Sequence, residues 1–481
     1  MVLSAILLVP LFAAIVALIE PIRRWSDLIT VLAMAATLGL SLDAAWNTLS
    51  TGQVSAAGGW LACDGLGVVI VVLVAFVGFT SSLFSVGYLA HHRGHGSVGD
   101  LGSYFSLFNL FMLSMLAVPL MANVALLWVM LELTTLFSAF LVGFNGTPAA
   151  LEAAWKYAML TTLGAIVALL GVLMLYWGTR VIGTEAFTWN QLIATAPSMP
   201  ATLIWPAFLL ILVGFGTKVG LVPMHTWLPD AHSQAPAPIC ALLSGVETST
   251  ALYVILRLFS VLTRIPGSEA RPWFLAFGLL SVAVATLLLL QVRDYKRMFA
   301  FSTVEHMGII LLAIGLGGAD AQFAAVYQIT AHALAKSFCF FAAGVVLLLS
   351  GNQEIAAVRG LARRAPVAAI PLLAGGLAIT GMPPSPVFIS ELLIIRAGLE
   401  RGHYIAVGIL AVLIVLGFAA VMQHITRMSF GVPNVVTRPV SVPRTCLTAL
   451  AITALPLVFL GLYLPVGLSA LFQLAASAVG P

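Results

Sequence analysis

Residues 211–238, ILVGFGTKVGLVPMHTWLPDAHSQAPAP, decide the fold. The stretch begins as an apolar helix and then meets Gly214, Gly216 and Gly220, with Lys218 among them, before Pro223, Pro229, Pro236 and Pro238. In a water-soluble chain this would read as a loop, but the surrounding sequence is strongly apolar. A lysine in a Gly/Pro-interrupted hydrophobic segment points to a broken membrane helix beside an ion pathway. The plainer alternative is a helix end with a snorkelling lysine.

Composition decides the solvent. The 481 residues are 61% hydrophobic and 8% charged, against about 25% charged in a typical globular protein. The chain reads as an integral membrane protein, and a formal charge of +4 gives no reason to expect nucleic-acid binding. Cys63, Cys240, Cys339 and Cys446 are scattered without a C-x-x-C pair, so they read as small apolar fillers, not as a disulfide or metal framework. Residues 1–20 read as a first spanning helix, not a removed signal.

Working outward from residues 211–238, fourteen hydrophobic segments are long enough to span a bilayer: 2–20, 26–45, 66–90, 104–120, 122–144, 154–177, 202–228 (broken), 236–262, 272–291, 297–316, 322–349, 367–396 (broken), 404–426 and 446–472. The expected fold is an all-α polytopic membrane protein, and no connection is long enough for a soluble catalytic module. Lys and Arg fall thirteen to five in favour of the connections after odd-numbered segments, with Lys218, Arg257 and Lys336 inside segments. That bias puts the odd connections in the cytoplasm and both termini on the other side of the cell inner membrane.

An internal echo suggests further organisation. Segment 7 is interrupted around Lys218 and Pro223, and segment 12 at Pro383-Pro384 with Glu391 beyond. An odd offset of five segments makes equivalent helices antiparallel, as in an inverted repeat, which would place a transport route at the repeat interface. The expected divisions are an N-terminal three-helix part, 1–103, five-helix units at 104–262 and 272–426, and a C-terminal helix in 427–481.

The candidate pathway follows from depth. At 1.5 Å per residue, Glu132, Glu247, Glu305, His332 and Lys336 lie near mid-depth of their segments, while Lys218 and Glu391 flank the two breaks. A charge at the bilayer centre costs about 2.5–3.5 kcal/mol on insertion scales, so these groups must pair or meet water. Acids, bases and imidazoles at mid-depth form a proton relay, because Glu and Lys shift pKa strongly on burial and a neighbouring charge resets it. His332 and Lys336, four apart, share a helix face.

Static readings stand beside the relay. Glu132–Lys218 and Glu305–Lys336 are potential ion pairs that would glue helices. His306 points away from its neighbour Glu305 and is a packing histidine or a relay member. Glu247, in VETST, has hydroxyls at hand to hold its protonated form. His225 caps freed backbone or relays, and Asp230 and His232, in LPDAH, anchor a loop or line the cytoplasmic mouth. Lys156 and Arg257 sit near segment ends, where long basic side chains snorkel. His91, His92 and His95 read as an exposed polar loop, and no metal site is expected. No phosphate-binding loop, dinucleotide fingerprint, cluster-binding cysteines or haem pair is present. The chain is therefore expected to hold no cofactor and to take its driving force from an ion gradient or a partner.

The stretches LLWVMLELTTLFSAFLVGFNGT, AAWKYAML, GTKVGLVPMHTWLPDAHSQAPAP, KRMFAFSTVEHMGII, AHALAKSFCFFAAG and GMPPSPVFISELL resemble the antiporter-like membrane subunits of complex I, Mrp antiporters and energy-converting hydrogenases. STVEHMG and ITGMPPSPVFISELL are most similar to hydrogenase-4 component F, a subunit linked to NiFe hydrogenase modules. The resemblance runs from segment 4 to segment 13. It implies Glu132–Lys218 as a charge-coupled pair, Lys336 as a central carrier on a broken eleventh segment, and Glu391 in the exit half. Relatives often carry Lys or His in segment 8, where this chain has Glu247-Thr248-Ser249-Thr250, so the bridge between the halves falls to Glu247 or to water.

The resemblance therefore implies a non-catalytic, proton-translocating subunit of a membrane-bound oxidoreductase complex of the hydrogenase-4 type. Its expected partners are other membrane subunits, a cytoplasmic redox arm such as a NiFe hydrogenase, and the lipid bilayer. The alternatives are an Mrp-type cation/proton antiporter subunit, a complex I (NADH-quinone oxidoreductase) subunit, and a scaffold with static buried charges.

Overall fold

A computed structural model describes residues 1–20, 22–93, 100–184, 187–265, 270–432 and 441–480. The helices are α1 (Val2–Val16), α2 (Ser26–Thr51), α3 (Gly65–Arg93), α4 (Leu101–Leu120), α5 (Val124–Val142), α6 (Pro148–Val181), α7 (Trp189–Thr195), α8 (Ala201–Val219), α9 (Trp227–Gln234) and α10 (Ala237–Leu242). They continue with α11 (Thr248–Leu262), α12 (Arg271–Leu289), α13 (Tyr295–Leu316), α14 (Ala319–Ser350), α15 (Leu361–Arg364), α16 (Pro366–Ile379), α17 (Pro386–Glu400), α18 (Tyr404–Phe430), α19 (Arg444–Leu462) and α20 (Val466–Val479). Among the described residues, twelve helical stretches are long and apolar enough to cross a membrane. They coincide with the expected segments 2–11, 13 and 14. The first expected segment is the 15-residue α1, and the twelfth is the pair α16 and α17.

One element lies outside the all-helical expectation. Strands β1 (Gln53–Ala56) and β2 (Leu61–Asp64) form an antiparallel hairpin between α2 and α3, pairing Gln53 with Asp64 and Ala56 with Leu61. Its few residues are too short a run to stand out against long apolar segments.

Local chemistry sets the helix ends. Asn123 and Asp294 accept backbone N–H bonds at the starts of α5 and α13, and Thr147 and Ser385 do so ahead of Pro148 and Pro386. α8 stops because Gly220 takes a left-handed conformation (φ 84°) that satisfies the helix's last carbonyls. The chain then runs through Pro223 to Thr226 before α9 begins. A second interruption, from Thr380 to Ser385, separates α16 from α17. Both expected breaks are therefore present. The eleventh segment is not broken, because α14 runs without interruption from Ala319 to Ser350. Its sequence there holds no proline and, apart from Gly344, no glycine.

The helices sort by burial. The α10–α11 stretch is enclosed along its whole length, and α13 and α14 nearly so, whereas α2, α18 and α19 turn most of their apolar surface outward. The enclosed helices carry Glu247, Glu305, His306, His332 and Lys336, so the polar side chains lie on the molecule's axis. Small residues hold α8 close to α6: a Cβ on Gly214 would lie 2.5 Å from the Gly164 carbonyl oxygen. Such backbone contact supplies the dispersion that membrane helices need in place of a hydrophobic drive, and it fixes where Lys218, one turn further along, emerges.

Candidate functional site

The first polar cluster is built at the end of α8. Lys218 is 1% exposed and donates to the Leu131 carbonyl at 2.9 Å and to the Thr135 hydroxyl, both on α5. Its carboxylate partner is Glu247, with Nζ 3.4 Å from Oε1. That oxygen also accepts from Tyr157 at 2.8 Å and Thr134 at 3.2 Å, and Ser138 bonds the Tyr157 hydroxyl at 2.7 Å. Oε2 of Glu247 has no partner among the described residues. Hydroxyls do hold Glu247, but they come from α5 and α6, not from its own VETST run.

Among the described residues no direct ion pair joins Glu132 to Lys218, although the Lys218 charge acts on the Glu132 carboxyl. Lys218 meets Leu131 and Thr135, so that side of α5 faces inward. Glu132, about 100° further round the helix, lines a cavity of 600 Å³ between α5 and α6, together with Trp128, Thr135, Ala158 and Thr162. Its Oε1 has no hydrogen-bond partner among the described residues.

The second cluster gathers around α14. Lys336 is fully buried and donates to the Phe299 carbonyl at 2.7 Å and the Ser302 hydroxyl. No salt bridge joins it to Glu305 or to another carboxylate among the described residues, so the static-pair reading of Glu305–Lys336 fails. Glu305 instead accepts from Thr286 at 3.3 Å and rests against Gly417 of α18. Glu391 is 7% exposed, and its carboxylate lies on Gly381 in the second break.

The two histidines differ in what they leave free. His306 Nε2 meets the Ile379 carbonyl at 2.9 Å, so it carries the proton, and Nδ1 accepts from Gln328 Nε2 at 2.8 Å. Gln328 in turn accepts from Ser390. His332 Nε2 donates to the Ser244 carbonyl at 3.0 Å, and its Nδ1 has no partner among the described residues. The rings are 5.3 Å apart.

A π-helical turn, Leu243–Glu247, joins the clusters. One end presents the Ser244 carbonyl to His332, and the Ser244 hydroxyl bonds Thr303 at 2.6 Å. The other end presents Glu247 to Lys218. π-turns recur at functional sites because the extra residue re-aims side chains. Nothing in LLSGVETST announces one. Tyr157, Thr134, Ser244, Gln328 and Ser390 were also beyond sequence reasoning, since neutral hydroxyls and amides are frequent in membrane helices.

The secondary candidates lie nearer the ends of the bundle. Asp230 links Arg297 at 2.6 Å to Lys156 at 3.6 Å, and Lys156 also meets Glu152 at 2.6 Å. Asp230 is therefore an anchor across α6, α9 and α13, and Lys156 is tied into that anchor. His225 is half-buried beside the first break, its Nδ1 without a partner among the described residues. His232 is buried and bonds its own helix at the Leu228 carbonyl, 2.8 Å away. Two basic residues were misplaced by sequence reasoning. Lys296, counted with the loops, is 1% exposed and donates to the Ser233 and Ala235 carbonyls at 2.9 and 2.6 Å.

Arg257 does not snorkel. It is 6% exposed, bonds Asp64 at 2.6 and 2.5 Å through two nitrogens, and donates to Tyr253 at 2.9 Å. Burial pushes the Asp64 carboxyl up, but the Arg257 charge and the hydrogen bonds from Arg257, Gly67 and Leu66 outweigh it, and the group titrates below its ordinary range. Of the loop histidines, His95 and the side chain of His92 lie outside the described residues; His91 is half-buried.

Comparison with known proteins places the chain in a family. The family model for NADH:quinone oxidoreductase/Mrp antiporter membrane proteins matches residues 121–417, which hold every residue of both clusters. A hydrogenase-4 component F homolog of Methylacidiphilum infernorum is 41% identical over 322 residues, 66% of this chain and 67% of that protein. NADH-quinone oxidoreductase subunit N of Desulforudis audaxviator is 31% identical over 291 residues, 60% of this chain and 56% of that protein. A chain of an archaeal respiratory membrane complex, the membrane-bound sulfane sulfur reductase, superposes with a TM-score of 0.88 at 25% identity, over 99% of this chain and 96% of that one. The chain thus belongs to the NADH:quinone oxidoreductase/Mrp antiporter membrane family and is an antiporter-like membrane subunit.

Proposed function

We propose that this subunit translocates protons within a membrane-bound redox complex of the hydrogenase-4 type. It lies in the cell inner membrane with both termini on the non-cytoplasmic side, and works beside other membrane subunits and a cytoplasmic redox arm such as a NiFe hydrogenase. The observation that carries this reading is the π-turn Leu243–Glu247, which touches Lys218 through Glu247 and His332 through Ser244. It makes one polar line out of two clusters in different helices.

The roles follow from the bonds. Lys218 and Glu247 form the first charged station, near the break where Asp230 and Lys156 mark the cytoplasmic mouth. A change of charge at either one resets the proton affinity of the other, at an effective dielectric where such coupling is strong. His332 is the carrier between the halves, since its Nδ1 takes a proton while Nε2 keeps its bond to Ser244. His306 has both nitrogens engaged and holds the Ile379–Gln328–Ser390 line in place. Lys336 passes the charge on toward Glu305 and Glu391. Electrons stay with the partners, and this chain supplies the proton route.

The test is made in the assembled complex. Glu247→Gln and Lys218→Met are expected to leave the complex's amount on native gels unchanged and to lower redox-driven proton uptake by inverted vesicles. Intact uptake in both variants would overturn the relay, and joint loss of assembly and uptake would favour a static scaffold.

A further inference from the structure

The geometry points to a binding site for the headgroup of an anionic phospholipid, in the cavity between the first turns of α12 and α18 and the turn from α13 to α14. This inference does not depend on the proton route. The cavity measures 490 Å³, and its lining includes Thr263, Arg271, Leu275, Leu316, Arg401 and His403. It gathers Arg271 and Arg401, two of the five basic residues that the Lys/Arg count puts on the non-cytoplasmic side, and no carboxylate is among the described lining residues. Glu400, next to Arg401, is held by Arg396 at 2.7 Å, and Asp320 lines a separate cavity at the start of α14.

Two adjacent glycines make the floor of the site. The Arg271 guanidinium lies over Gly317, where a Cβ would be 2.9 Å from Cζ, and the Arg401 guanidinium over Gly318, where a Cβ would be 2.6 Å from Nε. Both glycines have positive φ, 73° and 82°, so the turn and the close approach both favour residues without a side chain. Neighbouring Cα atoms are about 3.8 Å apart, so this turn sets the two positive groups over adjacent residues. α12 and α18 both begin here, and their positive ends add to the field. An anion with several oxygens suits two such forks, as phosphate does.

The surroundings select a lipid over a soluble anion. Trp273 and Tyr404, 42% and 67% exposed, stand beside the cavity in sequence, as aromatic side chains do at the headgroup level. From there α12 and α18 pack together and turn Leu280, Leu287, Ile409 and Val412 outward. Those faces offer acyl chains an apolar course below the phosphate, which a free anion would not use. The bound headgroup bridges the α13–α14 turn to the two rim helices.

The test uses the whole complex in phosphatidylcholine vesicles that contain a phosphatidylglycerol with a photoreactive headgroup, with labelled peptides mapped by mass spectrometry. Peptides containing Arg271 or His403 should be labelled. A basic residue beside an anionic lipid is worth about fivefold in affinity, from about 1 kcal/mol. Added phosphatidylglycerol should therefore compete for this label at least about fivefold better than added phosphatidylcholine, and Arg401→Gln should lower the label by at least about fivefold at matched complex content. Absence of label from both peptides, equal competition by the two lipids, or unchanged label in Arg401→Gln overturns the site. Inorganic phosphate that competes as well as phosphatidylglycerol would make it a free-anion site and overturns the lipid assignment. If Arg401→Gln lowers the amount of complex, the competition series on the wild-type complex still decides.

Discussion

Glu132 and Glu247 lie at similar depth, and what separates them is rotation about their helices. Lys218 binds the α5 face that carries Leu131 and Thr135, which leaves Glu132 turned toward the α5–α6 cavity. Depth was legible in the sequence because it needs only a residue count. The partner was not, because it depends on which way two helices face. Each 1.36 kcal/mol on a barrier is about tenfold in rate, and Glu247→Gln removes the carboxylate whose charge is coupled to Lys218. Glu247→Gln should therefore slow proton translocation by at least about tenfold, and Glu132→Gln by less than about threefold, measured as initial uptake rates in inverted vesicles at matched complex content. The reverse order would restore Glu132 as the partner. The Asp64–Arg257 pair makes a second residue-scale prediction. The Asp64 pKa is depressed in the folded state, so its stabilisation is complete above the unfolded value, near pH 4, and is lost as pH falls through the folded one. Asp64→Asn should lower the melting temperature of the detergent-solubilised protein at pH 7, with about 3 kcal/mol lost as Arg257 is left unpaired. The gap between variant and wild type should close as the pH drops below about 4.

At the scale of elements, the interruptions matter more than the spans. Gly220, Pro223 and Pro383-Pro384 were readable as breaks because glycine and proline act on the backbone locally. The π-turn was not readable, since Leu243–Glu247 holds ordinary helix formers and one glycine. The consequence for function is large: one added residue rotates the rest of α11 by about 100° relative to α10, and this lets Ser244 face His332 while Glu247 faces Lys218. The position of Lys218 depends equally on the contact of α6 with α8. A side chain at Gly214 would collide with the backbone of Gly164 and Ala168, atoms that move only if the helices part. Gly214→Val should therefore destabilise by more than the about 1–3 kcal/mol typical of overpacking, and it should cut proton translocation even at permissive temperature. Thermal melting together with uptake rates checks both. Wild-type values would show that the spacing of α6 and α8 does not set the site.

The whole molecule separates a polar axis from an apolar rim. The enclosed helices α10–α11, α13 and α14 carry the ionisable groups, while α2, α6, α12, α18 and α19 present surfaces such as Trp46, Trp155, Trp177 and Leu455 that suit lipid or neighbouring membrane subunits. That layout was legible from hydropathy and from the few charges placed at mid-depth. The identity of the redox partner is not encoded in either layer. An axis of this kind moves protons only when something outside it changes the charge at one end, because a chain of paired groups at equilibrium has no direction. The isolated subunit in proteoliposomes should therefore show no sodium- or potassium-driven proton exchange above that of empty vesicles, read from a pH-sensitive dye under an imposed cation gradient. The subunit purified in mild detergent from its own membranes should bring NiFe-hydrogenase-type subunits and other antiporter-like chains, identified by mass spectrometry, and that assembly should acidify vesicles when supplied with electrons. Exchange by the isolated chain would instead make it an Mrp-type antiporter, with the Lys218–Glu247 station driven by the cation gradient itself. Co-purification with an NADH dehydrogenase arm would keep the proton route and replace only what drives it.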